Sequence, residues 1–171
     1  DMISEALRNQ SVFGIVPIRS GREVGETPDF FDVGTIAHID SWDQGDDGLL
    51  HIQVLGGKSF RVTSNDVRIN RLVTGNVVFI EDARDSTIPT QYEYLRELLE
   101  NIFERHVGQS ASASHRMDSA SWVAHRLAER LPLPLARKVD VLLASGGRQK
   151  LSLLDTLILE LKEHERKRVK K

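Results

Sequence analysis

The chain has 171 residues, 40% hydrophobic, 28% charged and 6% aromatic, with 23 Lys and Arg against 25 Asp and Glu. These are the proportions of one or two ordinary globular domains, and a formal charge of -2 excludes an overall basic footprint for nucleic acid. The absence of cysteine excludes disulfides, thiolate metal sites and a Cys nucleophile.

Charge divides unevenly along the chain. Residues 1–90 carry 8 basic and 14 acidic side chains, net -6, whereas residues 91–171 carry 15 and 11, net +4. β-Branched residues and Gly fill the first part, and Leu, Glu, Arg and Ala the second. Strands are therefore expected first and helices after, the α+β class.

In chain order, Ile3, Ala6 and Leu7 share a helical face that ends near Asn9 to Ser11. Val12 to Ile18 is an apolar strand run, with Pro17 at its end or on an edge because it cannot donate to a ladder. Ser20 to Pro28 is a loop and Val33 to Asp40 a strand. Asp43 to Gly48 is a turn in which Asp47-Gly48 takes positive φ cheaply. Leu49 to Leu55 runs back with Leu50, Ile52 and Val54 on one side and His51 and Gln53 on the other. Gly56-Gly57 is expected to turn the chain, with further strands over Ser59 to Thr63, Val67 to Arg71 and Val77 to Asp82. Five or six short antiparallel strands with tight turns predict a small barrel or sandwich.

Helical spacing takes over after Pro89. Thr90 and Glu93 have the spacing of a capping box, and Leu95, Leu98, Leu99, Ile102 and Phe103 follow until Gly108. Gly108 to Ser114 is a polar, low-complexity loop. Asp118 is expected to cap a second helix with Trp122, Val123 and Leu127, ending at Leu131-Pro132. Pro134 opens a third, with Val139, Leu142 and Leu143, stopped by Ser145-Gly146-Gly147. A fourth runs from about Lys150, buries Leu153, Leu154, Leu157, Ile158 and Leu161, and reaches the basic run Lys162 to Lys171. The expected division is a β-rich domain over residues 1–88 and a helical subdomain over 89–171. Because the chain opens on an amphipathic helix without an initiator Met, it is expected to begin inside a domain.

None of the chemical motifs survives its context. Gly56-Gly57-Lys58-Ser59 shares the end of a phosphate-binding loop, but Ile52 stands where that motif needs its first Gly, and strand follows where helix is required. Ser110, Ser114 and His115 sit in the polar loop without the second Gly of a nucleophile elbow. His38, His51, His106, His115, His125 and His164 never fall into a paired metal-ligand spacing. Asp43, Asp46 and Asp47 lack the bidentate Glu of a calcium loop and read as a solvated hairpin tip. No catalytic residue, metal or cofactor is therefore expected. No apolar run nears the roughly 20 residues of a membrane span, and no secretory signal opens the chain, so a cytoplasmic protein without a membrane partner is expected.

Several short blocks, taken in order, resemble the N-terminal substrate-binding domain of Lon proteases. They are Phe13-Gly14-Ile15-Val16, Gly21, Val24-Gly25, Val33-Gly34-Thr35-Ile36-Ala37-His38-Ile39, Asp47-Gly48-Leu49-Leu50 and Gly56-Gly57-Lys58-Ser59-Phe60-Arg61-Val62. Ser121 to Leu127, Leu131-Pro132-Leu133 and Ala136-Arg137-Lys138 continue the likeness into the helices. The resemblance implies a PUA-like β-barrel followed by a helical bundle, with further barrel strands before Asp1. It implies a non-enzymatic, stand-alone module, an adaptor or substrate receptor for unfolded or degron-bearing polypeptide, working with a protease or ATPase partner.

An extended client would add to a barrel edge or dock in an apolar groove between barrel and helices. Phe30, Phe31, Trp42 and Arg61 are the candidate contact residues, since aromatics and Arg are favoured in recognition surfaces. The alternative is an RNA-binding PUA-like protein that uses the basic C-terminal tail. The acidity of the barrel half argues against it.

Overall fold

The structure, a computed structural model, describes residues 2–22, 25–81, 85–105 and 116–169. The chain divides into two compact units, Asp1–Glu81 and Asp82–Lys171. Strands and one helix make up the first and helices the second, in the α+β order that the change of composition predicts.

In the first unit, helix α1 (Met2–Asn9) ends where Gln10 takes a left-handed φ of 49°. The Ser11 N–H then reaches the Ala6 carbonyl at 2.9 Å, satisfying an acceptor of the last turn. The apolar run after it is two strands, not one. Pro17 divides β1 (Phe13–Ile15) from β2 (Ile18–Ser20), and its carbonyl accepts from Phe31 N–H at 2.9 Å. β2 pairs with β3 (Asp29–Phe30) in a two-stranded sheet. β1, β4 (Val33–Gln44), β5 (Leu50–Val67) and β6 (Val73–Phe79) form an antiparallel sheet in the order β1-β4-β5-β6.

One expected turn and one expected strand move. Gly56-Gly57 runs through the middle of β5, opposite Ala37 where the register slips. A Cβ on Gly57 would meet only the exposed tip of His38, at 2.9 Å from Nε2, so the glycine pair marks an irregularity within the strand rather than a turn. The reversal falls instead at Arg68 to Leu72, in place of the expected strand over Val67 to Arg71. Arg68 N–H bonds the Leu72 carbonyl at 2.9 Å, and Arg71 takes a φ of 65°. Val33, Ala37 and Phe60 are buried in this sheet, and Gly14 and Gly34 lie against the Phe60 ring.

In the second unit, Thr90 makes no capping bond. Pro89 leads into a 3-10 turn (Thr90–Tyr92) that continues into α2 (Glu93–Arg105), and Glu93 pairs with Arg96 at 2.5 Å. Ser119 rather than Asp118 caps α3 (Ala120–Arg130), its hydroxyl accepting from Trp122 N–H at 3.0 Å. α4 (Leu135–Leu143) follows Pro134. α5 (Gly147–Val169) begins earlier than Lys150, directly after Gly146 at φ 80°. Leu95, Leu99, Val123, Leu127, Leu151 and Leu154 are fully buried between these helices. Leu153 and Leu161, expected in the core, lie partly buried at its edge. The loop over Gly108 to Ser114, and with it His106, Ser110, Ser114 and His115, lies outside the described residues.

Asp85 fixes the start of α3. Its carboxylate accepts from the Ser119 hydroxyl, from Ser121 N–H at 3.1 Å and from Ser86 N–H at 3.0 Å. Burial pushes its pKa up, but these donors outweigh burial and hold the carboxyl below the usual carboxylate range. A lowered folded-state pKa gives stability that is present above the unfolded value and is lost as pH falls through the folded one. Asp85→Asn is therefore expected to cost about 1 kcal/mol near neutral pH, a small effect because the site is solvent-exposed. The difference from wild type should shrink as pH falls from the usual carboxylate range through the lowered folded-state value, where the wild-type carboxyl also protonates. Thermal unfolding followed across that range checks it.

Candidate functional site

Three of the four candidate residues gather at the β2–β3 end of the strand unit. Phe30, on β3, is half-buried and lines an apolar groove of about 260 Å³ with Phe13, Phe60, Val62, Val73 and Val77. Phe31 is half-buried under the Arg19 guanidinium, 4.8 Å from its ring centroid. Arg61 stands opposite Val33 on β5 and donates to the Asp32 carboxylate at 2.5 Å. Each of the three therefore has a partner within its own unit: an apolar wall, a cation over a ring, an ion pair.

Trp42 lies elsewhere, roughly 30 Å along β4 from Val33 at ~3.3 Å per residue. The strand does not stop at Asp40 but continues to Gln44, which places Trp42 opposite Ile52 in the ladder. Directly opposed residues of an antiparallel pair share a face. Ile39 with Val54, Trp42 with Ile52 and Gln44 with Leu50 therefore line one face of the β4–β5 hairpin. An irregularity at Asp40, between the pairs of Ile39 and Ser41, keeps Ile39 and Trp42 on that face although they are three residues apart. The opposite face is polar, with Ser41 donating to Gln53 Oε1 at 3.1 Å and His51 Nε2 lying 3.6 Å from Asp47.

The apolar face is open at its outer end. Trp42 is 60% exposed and Leu50 37%, and Leu49 in the turn is 63% exposed. The turn holds the hairpin's end firmly. Gly45 N–H bonds the Leu49 carbonyl at 2.9 Å, Asp47 Oδ1 accepts from Leu49 N–H at 2.9 Å, and Gly48 takes a φ of 77°. Sequence alternation already separated Leu50, Ile52 and Val54 from His51 and Gln53. What it missed was that Trp42 joins them, because the irregularity at Asp40 breaks the period-two pattern in β4.

Other polar groups are engaged elsewhere. Lys150 is buried in the helical unit with Nζ 3.0 Å from His125 Nε2. Lys162, Arg166, Lys167 and Arg168 are exposed along α5, interleaved with Glu160, Glu163 and Glu165. Among the described residues no group of His, Asp and Glu is arranged to hold a metal ion, and no helix is long and apolar enough to cross a membrane.

Residues 1–160 match the sequence model of the ATP-dependent protease La (LON) substrate-binding domain. Among solved structures, the chain is similar to the Lon N-terminal domain protein from Xanthomonas campestris, at 29% identity and a TM-score of 0.74, over 91% of this chain and 81% of that one. It shares a fold with the N-terminal domain of the Mycobacterium avium complex Lon protease, at 16% identity and a TM-score of 0.55, over 83% of this chain and 75% of that one. No curated protein sequence matches the chain.

Proposed function

The chain belongs to the ATP-dependent protease La (LON) substrate-binding domain family, and from that premise we propose that it captures unfolded polypeptide on the apolar face of the β4–β5 hairpin. A substrate-binding domain of this kind is a non-catalytic polypeptide-binding module. The observation that carries the choice of surface is Trp42, 60% exposed beside Leu50 on a face that also holds Ile39, Ile52 and Val54. A large aromatic left in water at the open end of an apolar strip is the usual form of an anchor, since Trp contributes much buried area per ordered side chain. Phe30, Phe31 and Arg61 are occupied within the unit and serve to hold the β2–β3 end in shape.

The module acts as a substrate receptor, bringing clients to a protease or ATPase partner in the cytoplasm. The fragment Gly57-Lys58-Ser59 supports a binding role over an ATPase role, because it lies within β5 and presents no loop to cradle phosphates.

The test is a fluorescence anisotropy titration with reduced, carboxamidomethylated ribonuclease A, a permanently unfolded probe that carries both apolar and basic residues. Trp42→Ala is expected to weaken binding about tenfold or more. Trp122→Phe, in the helical unit, is expected to leave it within about twofold, a change under ~0.5 kcal/mol. Unchanged affinity in Trp42→Ala would remove the hairpin face from the reading.

A further inference from the structure

We infer that the hairpin face selects basic apolar segments, polypeptide that carries Lys or Arg among its hydrophobic residues. The inference rests on the polypeptide-binding reading above and adds a specificity to it. Between Val33 and Gly57 the sequence has Asp40, Asp43, Asp46 and Asp47 and neither Lys nor Arg. The fold gathers these carboxylates on the hairpin that carries the apolar strip, close enough for their charge to be felt there. Asp40 stands at the irregularity beside Ile39 and Asp46 in the turn beyond Leu50, while Asp43, paired with His51, and Asp47, 3.6 Å from His51 Nε2, belong to the polar face. All four are exposed.

The nearest cations in β5 are already engaged. Lys58 Nζ lies over the Phe79 ring at 5.9 Å, and Arg61 is held by Asp32 at 2.5 Å. An apolar strip on a hairpin that carries four Asp and neither Lys nor Arg between Val33 and Gly57 attracts chains that pair apolar anchors with positive charge, and it disfavours acidic ones through like-charge approach. The apolar face supplies the contact and the carboxylates of the hairpin supply the choice among clients.

The carboxylates are not equivalent within the hairpin. Asp47 accepts from Leu49 N–H and shapes the turn, and Asp43 accepts from the N–H of Gln44 at 2.9 Å. Asn keeps an acceptor oxygen at the same place while removing the charge, so D40N/D43N/D46N, with Asp47 retained, separates charge from turn geometry.

The experiment uses the full chain and three fluorescein-labelled peptides with the same Leu, Val and Phe residues and either Lys, Ser or Glu at the same intervening positions. Anisotropy titrations are run at low and at high salt. For wild type at low salt the Lys peptide is expected to bind roughly tenfold tighter than the Ser peptide, and the Glu peptide weakest, with the order compressed at high salt. D40N/D43N/D46N is expected to bring the three affinities within about threefold of one another at low salt. Circular dichroism of the triple variant shows that it is folded. A wild type that binds all three peptides equally, with Trp42 required, overturns the charge selection and leaves polypeptide binding standing. A Lys preference that survives the triple variant places the selection elsewhere and equally overturns it. Binding of none of the peptides, with carboxamidomethylated ribonuclease A also unbound, overturns the underlying reading.

Discussion

Gly34→Ala is expected to destabilise the strand unit by about 3 kcal/mol, a large effect for one methyl group. An alanine Cβ at this position would lie 2.5 Å from the Ile15 carbonyl oxygen, 2.6 Å from Phe60 Cζ and 2.7 Å from Val16 Cγ1. The first of these is backbone, fixed by the β1–β4 ladder in which Gly14 faces Ile36 and Ile15 faces Thr35. The second belongs to the most buried aromatic of the unit, 3% exposed, which also presses on Gly14. Neither neighbour can retreat without breaking a pairing or lifting Phe60 from its seat. Urea unfolding followed at Trp42 should show a clearly lower midpoint. A midpoint equal to that of wild type would mean that the sheet yields at this point.

Leu127→Ala is expected to cost about 3–5 kcal/mol in the helical unit, because it opens a cavity where the surroundings have little freedom to collapse. Leu127 is 0% exposed on α3, within the cluster formed with Leu95, Leu99, Leu151 and Leu154. A loss of that size is a large fraction of the ~5–15 kcal/mol that stabilises a typical domain, so partial unfolding at ordinary temperature is the expected outcome. Trp122, half-buried near Phe103 at 6.3 Å between ring centroids, reports on this unit as Trp42 does on the other. The two tryptophans, each kept alone with the other replaced by Phe, assign each loss to its own unit.

The parts of the fold that were legible in the sequence are those set by local chemistry. Asp47-Gly48 forms the hairpin turn expected of it, with Gly48 at φ 77°. Leu50, Ile52 and Val54 fall on one face because period two survives in β5. Leu131-Pro132 and Pro134 bound α3 and α4 as their restricted backbones require. What was misread depended on neighbours that lie far away in sequence. Gly56-Gly57 has the composition of a turn, but Gly56 pairs with Ala37 on β4 beside a register slip, which puts both glycines inside a strand. Thr90 and Glu93 have the spacing of a cap, but Pro89 starts a 3-10 turn first and Arg96 takes the Glu93 carboxylate.

The candidate site was legible by the same rule. Aromatic and Arg side chains were singled out as a chemical class, yet composition does not say which of them has a partner. Phe31 and Arg61 are satisfied by Arg19 and Asp32, and only the ladder register reveals that Trp42 completes the strip of Ile39, Leu50, Ile52 and Val54. The family likeness was legible in the blocks from Phe13 to Val62 and from Ser121 to Lys138, both within residues 1–160 that the family model matches.

Hydrogen exchange on the full chain, alone and with the carboxamidomethylated client of the titration, tests the central claim most directly. Amide exchange reports where a bound segment orders or shields backbone. The account predicts slowed exchange in the β4–β5 hairpin, over residues 38–55, with the amides of α3 and α5 unchanged. Slowing confined to the helical unit, with the hairpin exchanging as in the free chain, would contradict it.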